Sequence, residues 1–438
     1  MRRAIVLLAS MAFVVLASVG VALAQHTATP PPTPQAVIPS QYVVVLKDGV
    51  SDPRAVAQEH AQRYGAQILN TYQYAIKGYA AKIPSTQLER VRSDARVQFV
   101  SEDREVSAAA QTLPAGIDRI EADRSRARAG NGRGSVNVGV AVIDTGIDLT
   151  HPDLNAKNGV NCVTRNRIAN DDDVLGHGTH VAGIIGAKDN AEGVVGVAPG
   201  ATLYSVKVFG RNGFGMTSTV ICGIDWVTAN AKSLNIKVAN MSLGGGGSDD
   251  GNCGNTNQDP EHKAICNSVN QGITYVVSAG NDAQDLATTA PAAYDEVLTV
   301  TAMNDFNGRP GGGAPDPCSA SFGFPEEPDD AAASFSNFAT VGSGDVSHTI
   351  AAPGLCVWST LPGGYGGLSG TSMAAPHVAG TTVLCISSGG CSGLTPSQII
   401  SKVRADAVAQ SPSYGFTGDP YSPNGTRYYG NLVYAGGY

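Results

Sequence analysis

The sequence predicts an α/β protein: a doubly wound, mainly parallel sheet with helices on both faces, preceded by a small α+β domain. The first observation is a nearly continuous apolar run at residues 136–143, which is typical of a strand buried on both faces of a parallel sheet. The second is the alternation that follows, which is typical of right-handed βαβ units. The predicted strands are 202–208, 238–241, 273–278 and 297–301, and the predicted helices are 177–187, 218–231, 262–271 and 371–386.

The small α+β domain is predicted at residues 41–107. Its strands are expected at 42–46, 67–72, 77–83 and 97–100, and its helices at 53–64 and 84–92. The resulting order βαββαβ is typical of a compact ferredoxin-like domain. The larger domain then runs from residue 108 to residue 438.

The first 24 residues have the pattern of a secretory signal. Two arginines precede an apolar run at residues 4–24, which ends in Ala22-Leu23-Ala24, an A-x-A cleavage site. A membrane anchor is the alternative, because about 20 apolar residues can span a bilayer. The small residues at its end and the Pro-rich stretch at 25–40 favour cleavage, and that stretch predicts an extended linker. We expect a secreted, extracellular protein with no membrane segment after cleavage.

Composition excludes several classes of protein. The chain has 438 residues, 42% of them hydrophobic, which is too apolar for a disordered protein. Its net charge of -8 argues against a nucleic-acid binder that works by neutralising phosphates. Glycine occurs 53 times, which indicates many tight turns and close backbone approaches.

Eight cysteines lie in the larger domain. An even number in an exported chain favours disulfides. Short loops favour the pairs Cys253–Cys266 and Cys385–Cys391, and Cys162–Cys222 and Cys318–Cys356 follow by elimination. The alternative is that one or two pairs stay as buried thiols.

Three short motifs contain residue types suited to nucleophilic catalysis. Asp144 follows the predicted strand 136–143, His177 starts a predicted helix between two glycines, and Ser372 lies at the N-terminus of another. A helix N-terminus favours a developing oxyanion. Taken singly, Asp144 could be a turn residue and Ser372 an ordinary N-cap. A metal pair of His177 with His180 is disfavoured, since the spacing differs from the helical zinc motif.

Together the three motifs, in the chain order Asp144, His177, Ser372, resemble the subtilisin-like serine proteases, and within them the proteinase K-like branch. That chain order is the one found in subtilisin itself. The resemblance covers residues 108 to about 407, and residues 41–107 resemble the family's inhibitory propeptide. It implies a subtilisin-like fold and a secreted serine endopeptidase of broad specificity, made as an autoprocessed zymogen.

The resemblance also implies a role for each catalytic residue. Ser372 would be the nucleophile of an acyl-enzyme mechanism, His177 its base and then the acid, and Asp144 would orient the imidazole. Asn281 matches the family's side-chain donor to the oxyanion, a contact worth ~3–4 kcal/mol in subtilisin itself. A loop residue after Gly280 is the alternative reading of Asn281.

The resemblance implies a substrate groove as well. One edge would be Ser242, Leu243 and Gly244, the opposite edge Gly213, Phe214 and Gly215, and the first side-chain pocket Ser278, Ala279 and Gly280. Such edges would pair with a substrate backbone as an added strand. The acidic run at 171–173 would favour basic substrate residues or bind a cation, unless it is a solvated loop.

Calcium is the one cofactor that the resemblance implies, with no catalytic metal or organic cofactor. The ligands would be the side chains of Asp153 and Asn190 and the backbone carbonyls of Lys188, Glu192 and Val194, an oxygen cage suited to Ca²⁺. A second site is in doubt, because Thr349 stands where the family usually has an acidic residue. Residues 308–330 are a departure from the family and are expected to form a surface loop.

The expected partners are protein and peptide substrates and the chain's own propeptide, and we expect a monomer. A propeptide whose tail lies in the cleft would be released by autocleavage near Ser107 and Ala108. The main rival is a catalytically inactive subtilisin fold used for binding or adhesion. A lipase of the α/β-hydrolase type is disfavoured, because Ser372 lacks a G-x-S-x-G setting and follows Asp144 and His177.

Overall fold

A computed structural model describes residues 37–104, 111–164, 173–322 and 325–438. The chain divides into two compact units, one within Thr27–Ala110 and the other from Gln111 to Tyr438. The predicted signal, most of the predicted linker and the proposed cleavage point lie outside the described residues. Within the described ranges, no helix is long and apolar enough to cross a membrane.

The small unit has the predicted order βαββαβ. Its elements are Val37–Leu46 (β1), Pro53–Tyr64 (α1), Gln67–Tyr72 (β2), Gly78–Lys82 (β3), Leu88–Arg92 (α2) and Val97–Arg104 (β4). The sheet has the antiparallel order β2-β3-β1-β4, so the ferredoxin-like prediction is confirmed. Helix α1 begins after the N-cap Asp52, whose side chain accepts a hydrogen bond from Ala55 N, and Pro53 is its first residue. Aspartate is a favoured N-cap residue, and proline is favoured at the first helical position.

The large unit contains the remaining helices and strands. These are Ala115–Arg119 (α3), Gly139–Asp144 (β5), Ala156–Asn161 (β6), His177–Gly186 (α4), Thr202–Lys207 (β7), Thr217–Asn230 (α5), Ile236–Met241 (β8), Gly245–Gly246 (β9), Pro260–Val269 (α6), Thr274–Ser278 (β10), Thr289–Ala290 (β11), Leu298–Asn304 (β12), Ala331–Ala332 (β13), Ala339–Thr340 (β14), Thr349–Pro353 (β15), Val357–Leu361 (β16), Gly364–Leu368 (β17), Thr371–Ser387 (α7), Pro396–Val408 (α8) and Arg427–Tyr428 (β18). Short 3₁₀ helices of this unit lie at Ala122–Arg124, Leu286–Thr288, Ser319–Phe322, Gly344–His348 and Pro412–Tyr414, and one more lies in the small unit at Ser85–Gln87.

The central sheet of the large unit has eight strands in the order β13-β12-β10-β8-β5-β7-β6, with β15 beside β12. All its pairings are parallel except that of β12 with β13. The chain continues from β5 to β7 on one side and reaches β8 on the other, so a topological switch point lies beside β5. Ligands of such sheets bind beyond the carboxyl ends of the strands at this point.

Helices cover both faces of this sheet, as predicted. Along β5, Val140 and Val142 belong to one apolar cluster, which includes residues of α4 and α7. Ala141 and Ile143 belong to the other, with residues of α5 and α6. This alternation follows from the two-residue period of a strand, and it explains why β5 is apolar throughout.

Several elements were not predicted: β6, β15, the hairpin of β16 and β17, and α8. Strand β6 reads AKNGVN and β17 reads GYGGL, so neither has the apolar pattern of a buried strand. Helix α8 did carry a start signal that was missed, because Thr395, Pro396 and Gln398 form a capping box with proline at the first position.

The disulfide predictions are confirmed. The structure contains Cys162–Cys222, Cys253–Cys266, Cys318–Cys356 and Cys385–Cys391, with Cα–Cα distances of 5.1–6.0 Å. No cysteine remains as a thiol.

Candidate active site

Asp144 ends strand β5 at the switch point. Its side chain is fully buried, and its Oδ1 accepts hydrogen bonds from His177 Nδ1 at 2.8 Å and from Thr145 N at 2.7 Å. Strand β5 therefore places a carboxylate under one nitrogen of the imidazole and leaves the other nitrogen for a substrate-side partner.

His177 is the first residue of α4, and the helix can start there because glycines flank it. A Cβ at Gly178 would lie 2.1 Å from Gly146 O and 3.2 Å from Asp144 Oδ1, so only glycine lets this helix approach the turn after β5. Gly176 has a φ of +75°, which a side chain disfavours. The His177 side chain is 30% exposed.

The pKa of His177 reflects two opposing effects. Burial by itself lowers it, but the charge of Asp144, its hydrogen bond and the charge of Asp173 together raise the pKa of His177 above its ordinary value. An imidazole held this way is a stronger base than a free one, which suits a residue that removes a proton and later returns it.

Asp173, the one described member of the predicted acidic run, is not a solvated loop residue; residues 171–172 lie outside the described residues. Asp173 is buried. Its Oδ1 accepts from Thr145 Oγ1 at 2.7 Å, and its Oδ2 accepts from Thr179 N at 2.8 Å and Thr179 Oγ1 at 2.6 Å. One carboxylate thus joins the residue after Asp144 to the first turn of the helix that carries His177.

Ser372 is the second residue of α7, after the N-cap Gly370. Its Oγ donates to Ser242 O at 3.4 Å, and its own carbonyl accepts from Ser242 Oγ at 2.8 Å. The loop after β8 is therefore attached to the start of α7 at the nucleophile position predicted from the sequence.

Asn281 lies beside the same helix start. Its Oδ1 accepts from Thr371 N and from Thr371 Oγ1, each at 2.9 Å. A Cβ built on Gly370 would be 3.4 Å from Asn281 Nδ2 and 3.7 Å from Ser372 N. The two donors predicted for the oxyanion thus border one small space, which Gly370 keeps open.

The predicted groove residues follow strand ends at this edge of the sheet. Ser242, Leu243 and Gly244 follow β8, and Ser278 ends β10, where its Oγ donates to Leu243 O at 3.4 Å. Gly280 has a φ of +104° and approaches Asn337 too closely for a side chain. The Ala279 side chain is fully buried in the core, so Ala279 can border a pocket only through its backbone.

The other predicted edge, Gly213, Phe214 and Gly215, forms a tight turn. Gly210 N donates to Phe214 O at 2.9 Å, Phe209 bridges to Gly215, and Gly213 has a φ of +78°. The Phe214 side chain is 55% exposed. An exposed apolar ring on such a turn is available to a substrate side chain.

The predicted calcium ligands converge around Asp153, which is buried. Its Oδ1 accepts from Asn190 Nδ2 at 3.1 Å and its Oδ2 from Val194 N at 3.0 Å. Burial raises the pKa of Asp153, although these hydrogen bonds oppose the rise. Glu192 reaches the cluster through its amide, which donates to Asn190 Oδ1 at 3.0 Å.

Gln111 joins the same cluster, although it was not predicted from the sequence. Its Nε2 donates to the carbonyls of Lys188, at 2.6 Å, and Val194, at 3.0 Å. Both carbonyls are predicted calcium ligands, so one side-chain amide now occupies the space between them. The sequence around Gln111 contains no motif that would have identified it.

The two other motif histidines are structural, as predicted. His180 Nε2 donates to the carbonyls of Val357 and Gly366 at 3.0 and 3.1 Å, which attaches α4 to both strands of the β16–β17 hairpin. His377 Nδ1 donates to Met373 O at 2.8 Å. Burial lowers the pKa of His180 to about 3 and that of His377 to about 4, so both are neutral in the fold.

Comparison with known proteins shows the family of the chain. The profile of the Subtilase family matches residues 135–417, and that of Peptidase inhibitor I9 matches residues 41–109. Subtilisin E of Bacillus subtilis strain 168 is 34% identical over 352 residues, which are 79% of this chain and 80% of that protein. The Extracellular serine proteinase of Thermus sp. strain Rt41A is 33% identical over 419 residues, 88% of each chain.

A solved structure has the same fold. The crystal structure of a cold adapted subtilisin-like serine proteinase matches with a TM-score of 0.51 and 31% identity, over 73% of this chain and 97% of that one. The named relatives are proteinases, so the alternative of an inactive binding module is not favoured; the proteinase K-like branch stays a prediction. The chain belongs to the subtilase family, and it is a serine endopeptidase made as a zymogen with an inhibitory I9 domain.

Proposed function

We propose that this subtilase cleaves proteins with broad specificity through an acyl-enzyme on Ser372, with His177, Asp144 and Asn281 as the other catalytic residues. The observation that carries this proposal is the 2.8 Å hydrogen bond from His177 Nδ1 to the buried Asp144 carboxylate. It holds the imidazole with Nδ1 protonated, so Nε2 is left as the base. Its position beside β5 is at the ligand-binding edge of the sheet.

The steps follow from these groups. Ser372 Oγ exchanges its hydrogen bond to Ser242 O for His177 Nε2, attacks the scissile carbonyl carbon and gives its proton to the imidazole. The oxyanion that forms accepts hydrogen bonds from Asn281 Nδ2 and Ser372 N. The intermediate then collapses, the C–N bond breaks, and His177 protonates the leaving amine. Water, deprotonated by His177 in the same way, then attacks the acyl-enzyme, which releases the carboxylic acid product and restores Ser372.

Broad specificity is proposed because recognition relies on backbone. The segments at 242–244 and 213–215, each of which contains glycine, can pair with a substrate strand through backbone N–H and C=O groups, which do not depend on the substrate's side chains. The first pocket is bordered by Ser278, Gly280 and the backbone of Ala279 and contains no charged side chain among them, so we expect no requirement for a charged substrate residue there.

Cleavage of casein by the mature protein and its variants tests the assignment. Ser372→Ala is expected to lose activity, and a fluorophosphonate is expected to label Ser372 in the parent alone. Ser387→Ala, at the other end of the same helix, is the matched control and should retain full activity. Equal cleavage by the parent and Ser372→Ala would refute the assignment of the nucleophile.

We also propose the processing scheme: signal at 1–24, linker at 25–40, propeptide at 41–107 and enzyme at 108–438, acting as a secreted monomer without nucleic acid. The I9 match at residues 41–109 and the printed name of the Thermus relative support propeptide removal and export. N-terminal sequencing of the mature protein is expected to start within a few residues of Ala108. A start near Gln25 would contradict the scheme.

We propose that Asp153, Asn190 and the carbonyls of Lys188, Glu192 and Val194 hold Ca²⁺, with Gln111 as an added ligand. The donor set fits a Ca²⁺ ion. The side-chain amides of Asn190 and Gln111 can each rotate by 180°, which presents the amide oxygen where the nitrogen now lies, and the two orientations differ only in their hydrogen bonds. The ion would cross-link three segments of the chain: those at Gln111, at Asp153 and at residues 188–194. It takes no part in the proposed chemistry, which uses side-chain and backbone groups alone.

Chelation tests the calcium proposal. EGTA is expected to lower the melting temperature of the mature enzyme and added Ca²⁺ to restore it, whereas Asp153→Asn should lose most of this response. Asp225→Asn, an exposed carboxylate on α5, is the control and should respond like the parent. A parent enzyme that melts at the same temperature with EGTA and with Ca²⁺ would rule the site out.

A further inference from the structure

A second cluster of metal-ligand side chains lies outside the triad and the proposed calcium site. One ligand atom each from Asp249, His262 and Glu296 lie within 4.8 Å of one another. Asp249 is in the loop after β9, His262 is on α6, and Glu296 precedes β12. His262 Nε2 and Glu296 Oε2 are 2.9 Å apart, so the cluster brings together three segments that are distant in sequence.

The imidazole of this cluster is held rigidly. The His262 side chain is wholly buried, and its ring stacks on Tyr294 with the centroids 4.0 Å apart and the planes at 2°. The disulfide Cys253–Cys266 joins the loop to the next turn of the same helix. A Cβ at Gly254 would lie 3.1 Å from His262 Cβ, so the loop packs directly against the histidine. A preorganised ligand of this kind loses little entropy on binding an ion.

The other ring nitrogen of His262, Nδ1, gives further evidence for a metal site. His262 Nδ1 is buried and has no hydrogen-bond partner within the described residues. Asp250 Oδ1 lies 3.6 Å from it, and backbone amides of Asn252 and Gly254, each at 2.9 Å, hold that same oxygen in place. A metal-ligating imidazole usually donates its other ring N–H to a carboxylate, which fixes the tautomer. Asp250 lies just beyond hydrogen-bond distance of Nδ1 and is the carboxylate placed to become that partner.

The negative charge around His262 and the exposure of the cluster to solvent also favour binding of a cation. The Asp249, Asp250 and Glu296 carboxylates surround one imidazole, and the Glu296 side chain is 29% exposed, which leaves a path to solvent. One nitrogen and two carboxylate oxygens are ligands that favour a transition ion such as Zn²⁺ over Ca²⁺, which prefers oxygen alone.

We propose that Asp249, His262 and Glu296 bind one divalent transition-metal ion, for which Zn²⁺ is the probe, and that Asp250 is a positioning residue for the imidazole. The ion links two parts of the large unit. One is the loop after β9, which follows the groove segment at 242–244, and the other is the start of β12. The expected effect of the ion is on the stability of this side of the large unit, because the hydrogen bonds and ion pairs described for Asp249, His262 and Glu296 do not involve the triad.

Zinc titration by calorimetry tests the proposal, with the full chain carrying His177→Ala and with Ca²⁺ in excess. His177→Ala removes the proposed base, which prevents self-digestion, and it removes a competing imidazole ligand at the triad; zinc binding at Asp249, His262 and Glu296 does not itself depend on the catalytic roles. We expect one Zn²⁺ per chain that is absent from the Glu296→Gln and Asp249→Asn versions. Asp250→Asn should weaken the same event by about 10–100-fold, as loss of an outer partner does at metal sites.

Two comparisons keep the test decisive. Asp225→Asn should bind zinc like its parent, and thermal unfolding without metal should show that Glu296→Gln and Asp249→Asn remain folded. Zn²⁺ should also raise the melting temperature of the parent and not of Glu296→Gln. Identical zinc isotherms for the parent, Glu296→Gln and Asp249→Asn would overturn the proposal and leave the cluster as an ion pair of His262 with Glu296.

Discussion

At the scale of single residues, the site depends on two carboxylates with different tasks. Asp144 receives the hydrogen bond of His177, whereas Asp173 receives hydrogen bonds from Thr145 and Thr179 and acts on His177 through its charge. Both are buried, so neither charge is screened by water as a surface charge would be. Burial lowers the pKa of His177, and both carboxylates together raise it above its ordinary value.

Asp173→Asn should separate these tasks. Removing its charge lowers the pKa of His177, and because the neutral imidazole is the active base, the acid limb of kcat/KM against pH should move to lower pH. In the parent this limb should lie above the ordinary imidazole value of about 6.5. Asp148→Asn, in the turn after β5, is the control and should leave the limb in place. A limb that moves upward in Asp173→Asn would contradict this account.

Asn281→Ala should lower kcat by about 10²–10³-fold with little change in KM, since the oxyanion that it is proposed to bind exists only in the transition state; the magnitude is that of subtilisin. Asp282→Ala, at the next exposed position, should cost little. Steady-state kinetics on a peptide substrate checks both. An Asn281→Ala enzyme with a raised KM and an unchanged kcat would assign Asn281 to substrate binding instead.

At the scale of elements, the site is made by where helices begin. Helices α4 and α7 both begin immediately after a glycine, and each carries a proposed catalytic residue in its first turn. The close approach of α4 to the turn after β5 is possible only because Gly178 has no side chain. The absence of a side chain at Gly178 therefore permits both the packing of α4 against this turn and the alignment of His177 with Asp144.

Gly178→Ala should therefore reduce both activity and stability. Its Cβ would collide with backbone at 2.1 Å, and backbone cannot move aside as a side chain can, so α4 must shift and carry His177 away from Asp144. Overpacking of this kind typically costs about 1–3 kcal/mol of unfolding free energy. Gly186→Ala, in the last turn of α4 with contacts of 3.1 Å and more, should keep the triad aligned. Denaturant unfolding and kcat measure the two effects, and a fully active Gly178→Ala would contradict the argument.

At the scale of the whole molecule, two buried neutral histidines make stability depend on pH. The pKa values of His180 and His377 fall to about 3 and about 4 in the fold, against about 6.5 in an unfolded chain. The unfolded state then binds more protons below pH 6.5, so the stability present above that pH is lost as pH falls. Each histidine contributes a slope of about 1.4 kcal/mol per pH unit.

The unfolding free energy of the inhibitor-labelled enzyme should therefore decrease steadily from about pH 6.5 to about pH 4. His377→Gln should reduce this slope by about 1.4 kcal/mol per pH unit, because Gln does not titrate, even though the variant is less stable at every pH. Denaturant unfolding at a series of pH values checks it. Parallel curves for the parent and His377→Gln would show that His377 contributes nothing to the acid sensitivity.

Much of the fold and the triad could be predicted from sequence, because the relevant signals are local. A strand buried on both faces must be apolar, so β5 and its terminal Asp144 were identifiable. So were the helix starts at His177, which lies between two glycines, and at Ser372, which follows Gly370 by two residues. Strand β6 and the β16–β17 hairpin lack such patterns, because neighbouring elements supply the burial and hydrogen bonds that their own residues do not encode.

By itself, the sequence determined the fold class, the family resemblance and the identity of the proposed catalytic residues, since motif order and helix-start glycines are properties of the chain. Only the tertiary structure decided that Asp173 is buried beneath the site, that Gln111 joins the Asp153 cluster, and that Asp249, His262 and Glu296 meet. Most of their partners lie tens of residues away in the chain, and no local pattern specifies a contact that only the packing of the sheet and its loops creates.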